Sequence, residues 1–277
     1  MSASAADIAG LALALVAAGV ISGFLAGFFG VGGGAPVVIA LYEAFRIIAV
    51  PDSVRMHLSI GTALAVMIPT AITSYMSHRR RGSVDETVVR AWVLPVVLGV
   101  VAGSFVAALV SQIALKLVFA VLAAFNGVKM LSSRMNWRLA GDDPSRPAIF
   151  GSGVLIGLLS ALMGIGGGIF GNIFLSLYGR PIHQIVGTTA SLGVMIAVPG
   201  SIGYLIAGLP QSAQLPPASI GFVSLLAALI VAPIAMAVAP LGVRVAHRFT
   251  AKQLKRAFGI FFLVIAARFW VSIIAGV

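Results

Sequence analysis

Two triple-glycine stretches interrupt apolar segments of the sequence, GFFGVGGGAP at 27–36 and LMGIGGGIFG at 162–171. Glycine in a helix interior costs about 1 kcal/mol relative to alanine, so three glycines in a row predict a broken helix. A helix that begins after the break directs unpaired N–H groups and the positive end of its dipole into the adjoining space. Anions bind readily at such helix ends. The two stretches therefore predict one anion site built from two broken helices.

The predicted substrate-binding glycines are Gly32, Gly33 and Gly34 in the first stretch and Gly166, Gly167 and Gly168 in the second. The alternative is that these glycines only let helices pack closely, as Gly99 and Gly103 are expected to do. The matching placement of the two stretches favours binding. A nucleotide-binding loop is excluded, because no Lys-Ser/Thr pair follows either stretch.

The motif H-x-x-x-G-T follows each glycine stretch, as HLSIGT at 57–62 and as HQIVGT at 183–188. The hydroxyl groups of Thr62 and Thr188 can donate to an anion or bond back to a helix carbonyl. Both interpretations stay open, and both threonines are candidate substrate ligands.

Three further polar residues are candidates for the site. His57 and His183 open the two motifs and are candidate gating or proton-carrying residues, since histidine titrates near neutral pH. Histidines that cap a helix start at the membrane interface are the alternative. Asn172 follows the second glycine stretch, where polar residues are rare, and is a candidate substrate ligand.

Acidic residues are nearly absent from the apolar segments. Only Glu43 lies within a predicted span, near its end, whereas a cation site inside a membrane usually needs a carboxylate. The predicted substrate is therefore anionic or neutral. No cofactor and no metal are predicted, and the lack of cysteine excludes disulfides and thiolate metal sites.

The composition places these residues in a membrane. Of the 277 residues, 60% are hydrophobic and 9% are charged, against roughly 25% charged residues in soluble domains. The apolar runs are long and continuous, which predicts an all-α polytopic membrane protein rather than a barrel. The net charge of +11 is attributed to cytoplasmic loops. The predicted partners are a lipid bilayer and a small anion, with no nucleic acid; the sequence does not indicate an oligomeric state.

About ten helical segments are predicted. Three of them are shorter than the ~20 residues of a full crossing, so the count is ten segments, or eight full crossings with short segments in glycine-broken hairpins. The predicted segments are 8–29, 33–48, 58–77, 88–110, 114–133, 148–164, 168–179, 186–207, 218–240 and 253–276. The short ones are 33–48, 148–164 and 168–179.

Basic residues predict the orientation in the membrane. The HRRRG run at 78–82 assigns the loop at 78–88 to the cytoplasm. Counting onward places the basic loops at 134–147 and 242–256 on the same side, and the uncharged loops between them on the other. Both termini are then periplasmic or extracellular, in a multi-pass protein of the plasma (inner) membrane.

The two halves of the sequence repeat one another in order. The glycine stretch and H-x-x-x-G-T are followed in each half by L-K-x-x-F, at 115–119 and 254–258. Each half has an odd number of crossings or hairpin limbs, so the second half is predicted to be inverted, as in many secondary transporters. The predicted domains are a first transmembrane repeat at 1–133, a cytoplasmic linker at 134–147 and a second repeat at 148–277.

In combination, these motifs resemble the sulfite exporter TauE/SafE family of membrane permeases, over about 21–275. The resemblance implies an exporter or permease for sulfite or a related organosulfur compound such as sulfoacetate. The halves differ after the glycines, where Ala35-Pro36 stands in the first and Ile169-Phe170 in the second. The two half-sites are therefore not chemically equivalent.

The predicted function is a secondary transporter that works by alternating access around the two glycine breaks. An anion channel is the alternative that the sequence leaves open. An intramembrane enzyme is disfavoured, because the spans carry no G-x-S-x-G, no H-E-x-x-H and no paired aspartates. The chain is therefore predicted not to be an enzyme.

Overall fold

The computed structural model describes residues 5–29, 34–132, 144–246 and 248–275. Within these ranges the chain is almost entirely α-helical, apart from a 3₁₀-helix at Leu209–Gln214 and a two-stranded antiparallel hairpin. The all-α prediction is confirmed. The helices are α1 (Ala5–Phe29), α2 (Gly34–Ile47), α3 (Asp52–Arg80), α4 (Glu86–Leu109), α5 (Gln112–Leu131), α6 (Arg146–Met163), α7 (Gly168–Leu177), α8 (Ile182–Gly208), α9 (Leu225–Ala246) and α10 (Ala251–Ala275), and the strands are β1 (Ser219–Ile220) and β2 (Val223–Ser224).

Seven helices of the described chain are long and apolar enough to cross a membrane, namely α3, α4, α5, α6, α8, α9 and α10. Helix α1 is also apolar and 25 residues long. Helices α2 and α7 have only 14 and 10 residues, and each begins at the last glycine of a triple-glycine stretch. The fold is that of a polytopic membrane protein, with ten α-helices in the described residues.

One predicted short segment is corrected. The segment at 148–164 was expected to be too short for a crossing, but α6 has 18 residues and qualifies as a span. Its first turn includes Arg146 and Pro147, because the Ser145 side chain caps the Ala148 N–H at 3.4 Å. The short helices are therefore α2 and α7.

The span predicted at 218–240 is also corrected. Residues 219–224 form the hairpin, and α9 runs from Leu225 to Ala246. The hairpin turns at Gly221, whose φ of +52° is a conformation that glycine adopts readily. Because Phe222 and Val223 are apolar and buried, hydropathy alone does not separate the hairpin from the helix that follows.

The bundle has two ends. We call the end that carries the α3–α4 loop (81–85) the basic end, and the end that carries the β-hairpin (219–224) the hairpin end. Helix α10 runs antiparallel to α5, since Lys116 donates to Ser272 while Gly127 packs against Gly259. The α9–α10 connection therefore lies at the basic end and α10 finishes at the hairpin end.

Helix α1 begins at the hairpin end. It runs parallel to α9, because Gly23 packs against Ala235 and Phe28 lies against Gly242. The described ends of the chain thus lie at the end opposite to the basic loops. The charge pattern predicts the same arrangement, with both termini on the side opposite to the basic loops.

Four helix pairs form most of the interior: α1 with α9, α4 with α6, α3 with α8 and α5 with α10. Glycine allows the helices to approach closely. A Cβ at Gly103 would lie 2.8 Å from the Leu158 carbonyl oxygen, and one at Gly99 would overlap the Val154 carbonyl oxygen. These two glycines are packing positions, as predicted.

Candidate functional site

The second glycine stretch breaks the chain between α6 and α7. Gly164 ends α6 with a φ of +65°, and Gly167 precedes α7 with a φ of +71°, both in the left-handed region that favours glycine. No side chain caps α7, and its first helical hydrogen bond runs from the Gly171 N–H to the Gly167 carbonyl at 2.9 Å. The N–H groups of 168–170 are therefore available to a ligand.

The first stretch meets the second in space. Gly34 is the first residue of α2, and a Cβ placed on it would lie 2.6 Å from the Gly164 carbonyl oxygen and 3.0 Å from the sulfur of Met67. The two breaks are therefore in direct contact through Gly34, beside the middle of α3. Gly32 and Gly33 lie outside the described residues.

A cavity of about 110 Å³ opens beside the second break, towards the basic end. Its walls come from the second half of α3, the start of α7 and the first half of α8. The lining residues are Met67, Thr70, Ala71, Ser74, His78, Gly166, Gly168, Asn172, Val186, Thr189, Ala190 and Gly193. Three of the predicted site residues, Gly166, Gly168 and Asn172, are thus brought together.

The Asn172 side chain is held by a neighbour on α8. The Thr189 hydroxyl lies 2.7 Å from Asn172 Oδ1, and it also lies 2.9 Å from the Ile185 carbonyl. In the assigned orientation of the amide, its Oδ1 accepts from Thr189 and its Nδ2 group keeps two N–H donors. The amide and the start of α7 therefore present donors to the same small space.

Thr62 and Thr188 do not line this cavity, and both are fully buried. The Thr62 hydroxyl accepts from the Ser224 N–H, and the Thr188 hydroxyl accepts from the Asp85 N–H, each at 2.9 Å. Ser224 directly precedes α9 and Asp85 directly precedes α4. Their role as substrate ligands stays a prediction, and these contacts give both threonines a structural role.

The glycine before each threonine completes this contact. A Cβ at Gly61 would overlap the Phe222 carbonyl oxygen, and a Cβ at Gly187 would overlap the Ser83 carbonyl oxygen. In each case the overlapped residue lies two positions before the residue that donates to the threonine. We call the two arrangements the Gly-Thr docking contacts.

The two predicted histidines lie in different surroundings. His57 is buried, its Nε2 lies 3.0 Å from the Ala107 carbonyl, and its ring stacks on Phe222 with centroids 4.9 Å apart. His183 is exposed at the start of α8. Neither lines the cavity. Their role in gating or proton transfer stays a prediction.

Three polar residues of the cavity, Thr70, Ser74 and His78, were missed by the sequence analysis; a fourth, Thr189, directly follows the candidate Thr188. The first three recur at every fourth position of α3. This spacing places them on one face of the helix, so a polar stripe in an apolar segment was a signal in the sequence. His78 was interpreted only as part of the basic run that orients the chain.

Comparisons with known proteins agree with this architecture. A family model described as sulfite exporter TauE/SafE matches residues 11–269. A probable membrane transporter protein of Haemophilus influenzae is 30% identical over 249 residues, which cover 90% of this chain and 94% of that relative. A probable membrane transporter protein of Methanocaldococcus jannaschii is 28% identical over 246 residues, covering 87% and 88%. No solved structure matches the chain.

The family description and the names of both relatives are those of transporters, which confirms that the chain is not an enzyme. The seven candidate spans agree with a protein that crosses the membrane several times. The family match spans both glycine stretches and both H-x-x-x-G-T motifs. The chain belongs to the sulfite exporter TauE/SafE family.

Proposed function

We propose that this protein is a secondary transporter that carries a small anion, sulfite or a related organosulfur compound such as sulfoacetate, by alternating access. The observation that carries the proposal is the cavity at the start of α7, where Gly168, Asn172 and the first N–H groups of the helix meet. Among the described residues that line it there is no carboxylate. A helix N-terminus contributes about half a positive charge, which counts for more in a low-dielectric site.

The size of the cavity favours a compact substrate. Its volume of about 110 Å³ corresponds to about four water molecules, at roughly 30 Å³ each. Sulfite fits within this volume, and sulfoacetate is the larger anion of the two. We therefore rank sulfite before the longer organosulfonates.

Alternating access rests on the proposed inverted repeat. Two sets of contacts support the repeat. In the first set, α1 of the first half packs on α9 of the second, and α6 of the second half packs on α4 of the first. In the second set, Thr62 of the first half binds the segment before α9, and Thr188 of the second half binds the segment before α4. In this proposal the first repeat is 1–133, the linker is 134–147 and the second repeat is 148–277, with a pseudo-two-fold axis in the membrane plane.

The orientation is part of the same proposal. The basic end faces the cytoplasm and both termini face the periplasm or exterior of the plasma (inner) membrane, because Arg79–Arg81 and the α9–α10 connection share one end of the bundle. Reporter fusions after Val277 and within the α3–α4 loop test it. A cytoplasmic C-terminus contradicts this orientation.

The decisive experiment is a flux assay in proteoliposomes with sulfite, sulfate, thiosulfate, sulfoacetate and taurine. Gly168→Leu places a bulky side chain at the cavity, at a position where a Cβ meets no atom within 4 Å. Gly151→Leu, at an equally open but exposed position of α6, is the matched control. We expect saturable sulfite flux in the wild type and in Gly151→Leu, and none in Gly168→Leu.

Two outcomes would each contradict one part of the proposal. If Gly168→Leu transports as the wild type does, the cavity is not the substrate site. If labelled substrate shows no counterflow and the flux does not saturate, the protein is an anion channel, which is the alternative function that uses the same site.

A further inference from the structure

The cavity contains one titratable side chain among its described lining residues, that of His78. His78 stands near the end of α3, one helical turn from Ser74 and two from Thr70. It was not among the histidines that the sequence motifs single out. Its place in the cavity gives the proposed substrate site a group that can carry a positive charge.

The hydrogen bonds around His78 favour Nε2 as the nitrogen that takes up the proton. The Ser83 hydroxyl oxygen lies 3.0 Å from the His78 carbonyl oxygen and 3.3 Å from His78 Nδ1. In the assigned geometry the Ser83 hydroxyl donates to the His78 carbonyl oxygen. The Ser83 oxygen can then only accept from the ring, which assigns the hydrogen to Nδ1. Nε2 is left as the basic nitrogen.

The carboxylates near His78 are engaged by other groups. Glu86 pairs with Arg79 at 2.8 Å. Asp85 lies 3.6 Å from Arg180, accepts from Gln184 at 3.3 Å and caps the first turn of α4. No ion pair joins either carboxylate to His78 in the described chain. The charged residues that follow His78 in the sequence, Arg79–Arg81, are all basic.

The other walls of the cavity add no charge. Helix α7 contributes the neutral Asn172, and α8 contributes Thr189 with apolar neighbours. Among the described lining residues a protonated His78 therefore has no acidic partner, and an anion is the group that would complement it. Binding of the anion and protonation of His78 then favour each other, since linkage is reciprocal.

We propose that His78 is the charge-selecting residue of the cavity, which in its protonated form contacts the transported anion and links anion binding to proton uptake at Nε2. This inference rests on the proposed function and names the residue that selects for negative charge. The direction of the pH dependence of anion binding follows from this linkage. Tight anion binding is present below the pKa of His78 and is lost as the pH rises through it.

The test is sulfite flux in proteoliposomes, with kcat/KM measured for the wild type and for His78→Gln from about pH 5 to about pH 8, the range over which histidine titrates. Sulfite changes its own protonation over this range, but the change cancels in the ratio of the two proteins. We expect the ratio of wild type to variant to be about tenfold at the acid end, the effect of one favourable charge interaction, and to approach unity at the alkaline end.

Two further variants separate charge from shape. His78→Lys keeps a positive charge at all these pH values, so its kcat/KM ratio to His78→Gln should stay above unity at the alkaline end. Ser77→Gln, on the exposed neighbouring face of α3 and outside the cavity lining, should retain the pH profile of the wild type.

The outcomes are distinguishable. A ratio of wild type to His78→Gln that does not change with pH overturns the role of His78 and leaves the proposed transport intact. No sulfite flux by the wild type above empty liposomes overturns sulfite as the substrate and this inference with it. The proposal is supported if the kcat/KM ratio of wild type to His78→Gln falls as the pH rises while the ratio of His78→Lys to His78→Gln stays above unity. Together these two results assign the effect to the positive charge of His78.

Discussion

The two ends of the bundle use the same docking contact but differ in what lies beside it. At the hairpin end Gly61 and Thr62 receive the segment before α9, and at the basic end Gly187 and Thr188 receive the segment before α4. The backbone arrangement is the same in both cases. What differs is the space next to it, which is a cavity with polar lining residues at the basic end and closely packed side chains, among them the buried His57, at the hairpin end.

The proposed repeat allows a residue-by-residue comparison. If Thr62 corresponds to Thr188 and Gly34 to Gly168, the same spacing along the helices pairs cavity residues with residues of the other end. The pairs are Asn172 with Val38, Ala71 with Ala197, Ser74 with Gly200 and His78 with Tyr204. Val38, Ala197 and Tyr204 are each fully buried, and the Tyr204 hydroxyl donates to the Ala161 carbonyl at 3.0 Å.

In the proposed repeat, this difference gives a duplicated scaffold that holds one polar site. Each proposed half provides a broken helix and a docked loop. Side chains then decide which end binds a ligand, because a polar group buried without a partner is destabilising whereas apolar groups pack closely. In this conformation the hairpin end is closed by packing and the basic end is open.

The largest expected effect tests where the two ends are alike. Gly61→Ala and Gly187→Ala should both lose folded protein, because each added Cβ overlaps a backbone carbonyl that cannot move without undocking the loop. We expect a cost of about 3 kcal/mol or more at either end. Thermal unfolding and the yield of monodisperse protein measure it, with Gly151→Ala as the control at an open position.

If only one of the two glycine variants is destabilised, the docking contacts are not equivalent. The shared contact would then be a coincidence of two loops, and the comparison between the ends would lose its basis.

The next effect tests where the two ends differ. The chain has no cysteine, so single cysteines can be introduced without background. Ala71→Cys lies in the cavity and Ala197→Cys is a matched substitution at the other end, where the exposed fraction is 0%. A buried thiol reacts only when its surroundings open, so we expect Ala197→Cys to react about 100-fold more slowly with a polar thiol reagent.

Labelling rates are measured in detergent or in vesicles without substrate. Equal rates at the two positions would show that the hairpin end opens as readily as the basic end. That result would remove the distinction between a closed and an open end.

The smallest effect concerns the threonines. Thr62→Ala and Thr188→Ala each leave a backbone N–H without its acceptor, which should lower the free energy of unfolding by about 1–2 kcal/mol while KM for sulfite stays unchanged. Thr→Ser at the same positions keeps the hydroxyl and should behave as the wild type. A raised KM at unchanged stability would instead support both threonines as substrate ligands, as the sequence predicted.

Much of the fold was determined by the sequence. Long apolar runs, few charges and basic loops predict a polytopic helical bundle, because a bilayer admits only segments that satisfy their own backbone hydrogen bonds. The triple glycines predicted the starts of α2 and α7, since successive glycines destabilise a helix locally. The order of the motifs predicted a duplication. These properties depend on local composition and spacing, which the sequence contains in full.

The tertiary structure decided which polar groups share a space. Asn172 belongs to a glycine motif, but His78 and Ser74 reach the cavity from α3, and only the crossing of α3 and α8 brings them to α7. Docking of the segments before α9 and α4 placed Ser224 against Thr62 and Asp85 against Thr188, outside the cavity. A motif fixes the identity of a residue and its spacing along one helix. Its partners depend on packing between helices that are distant in sequence.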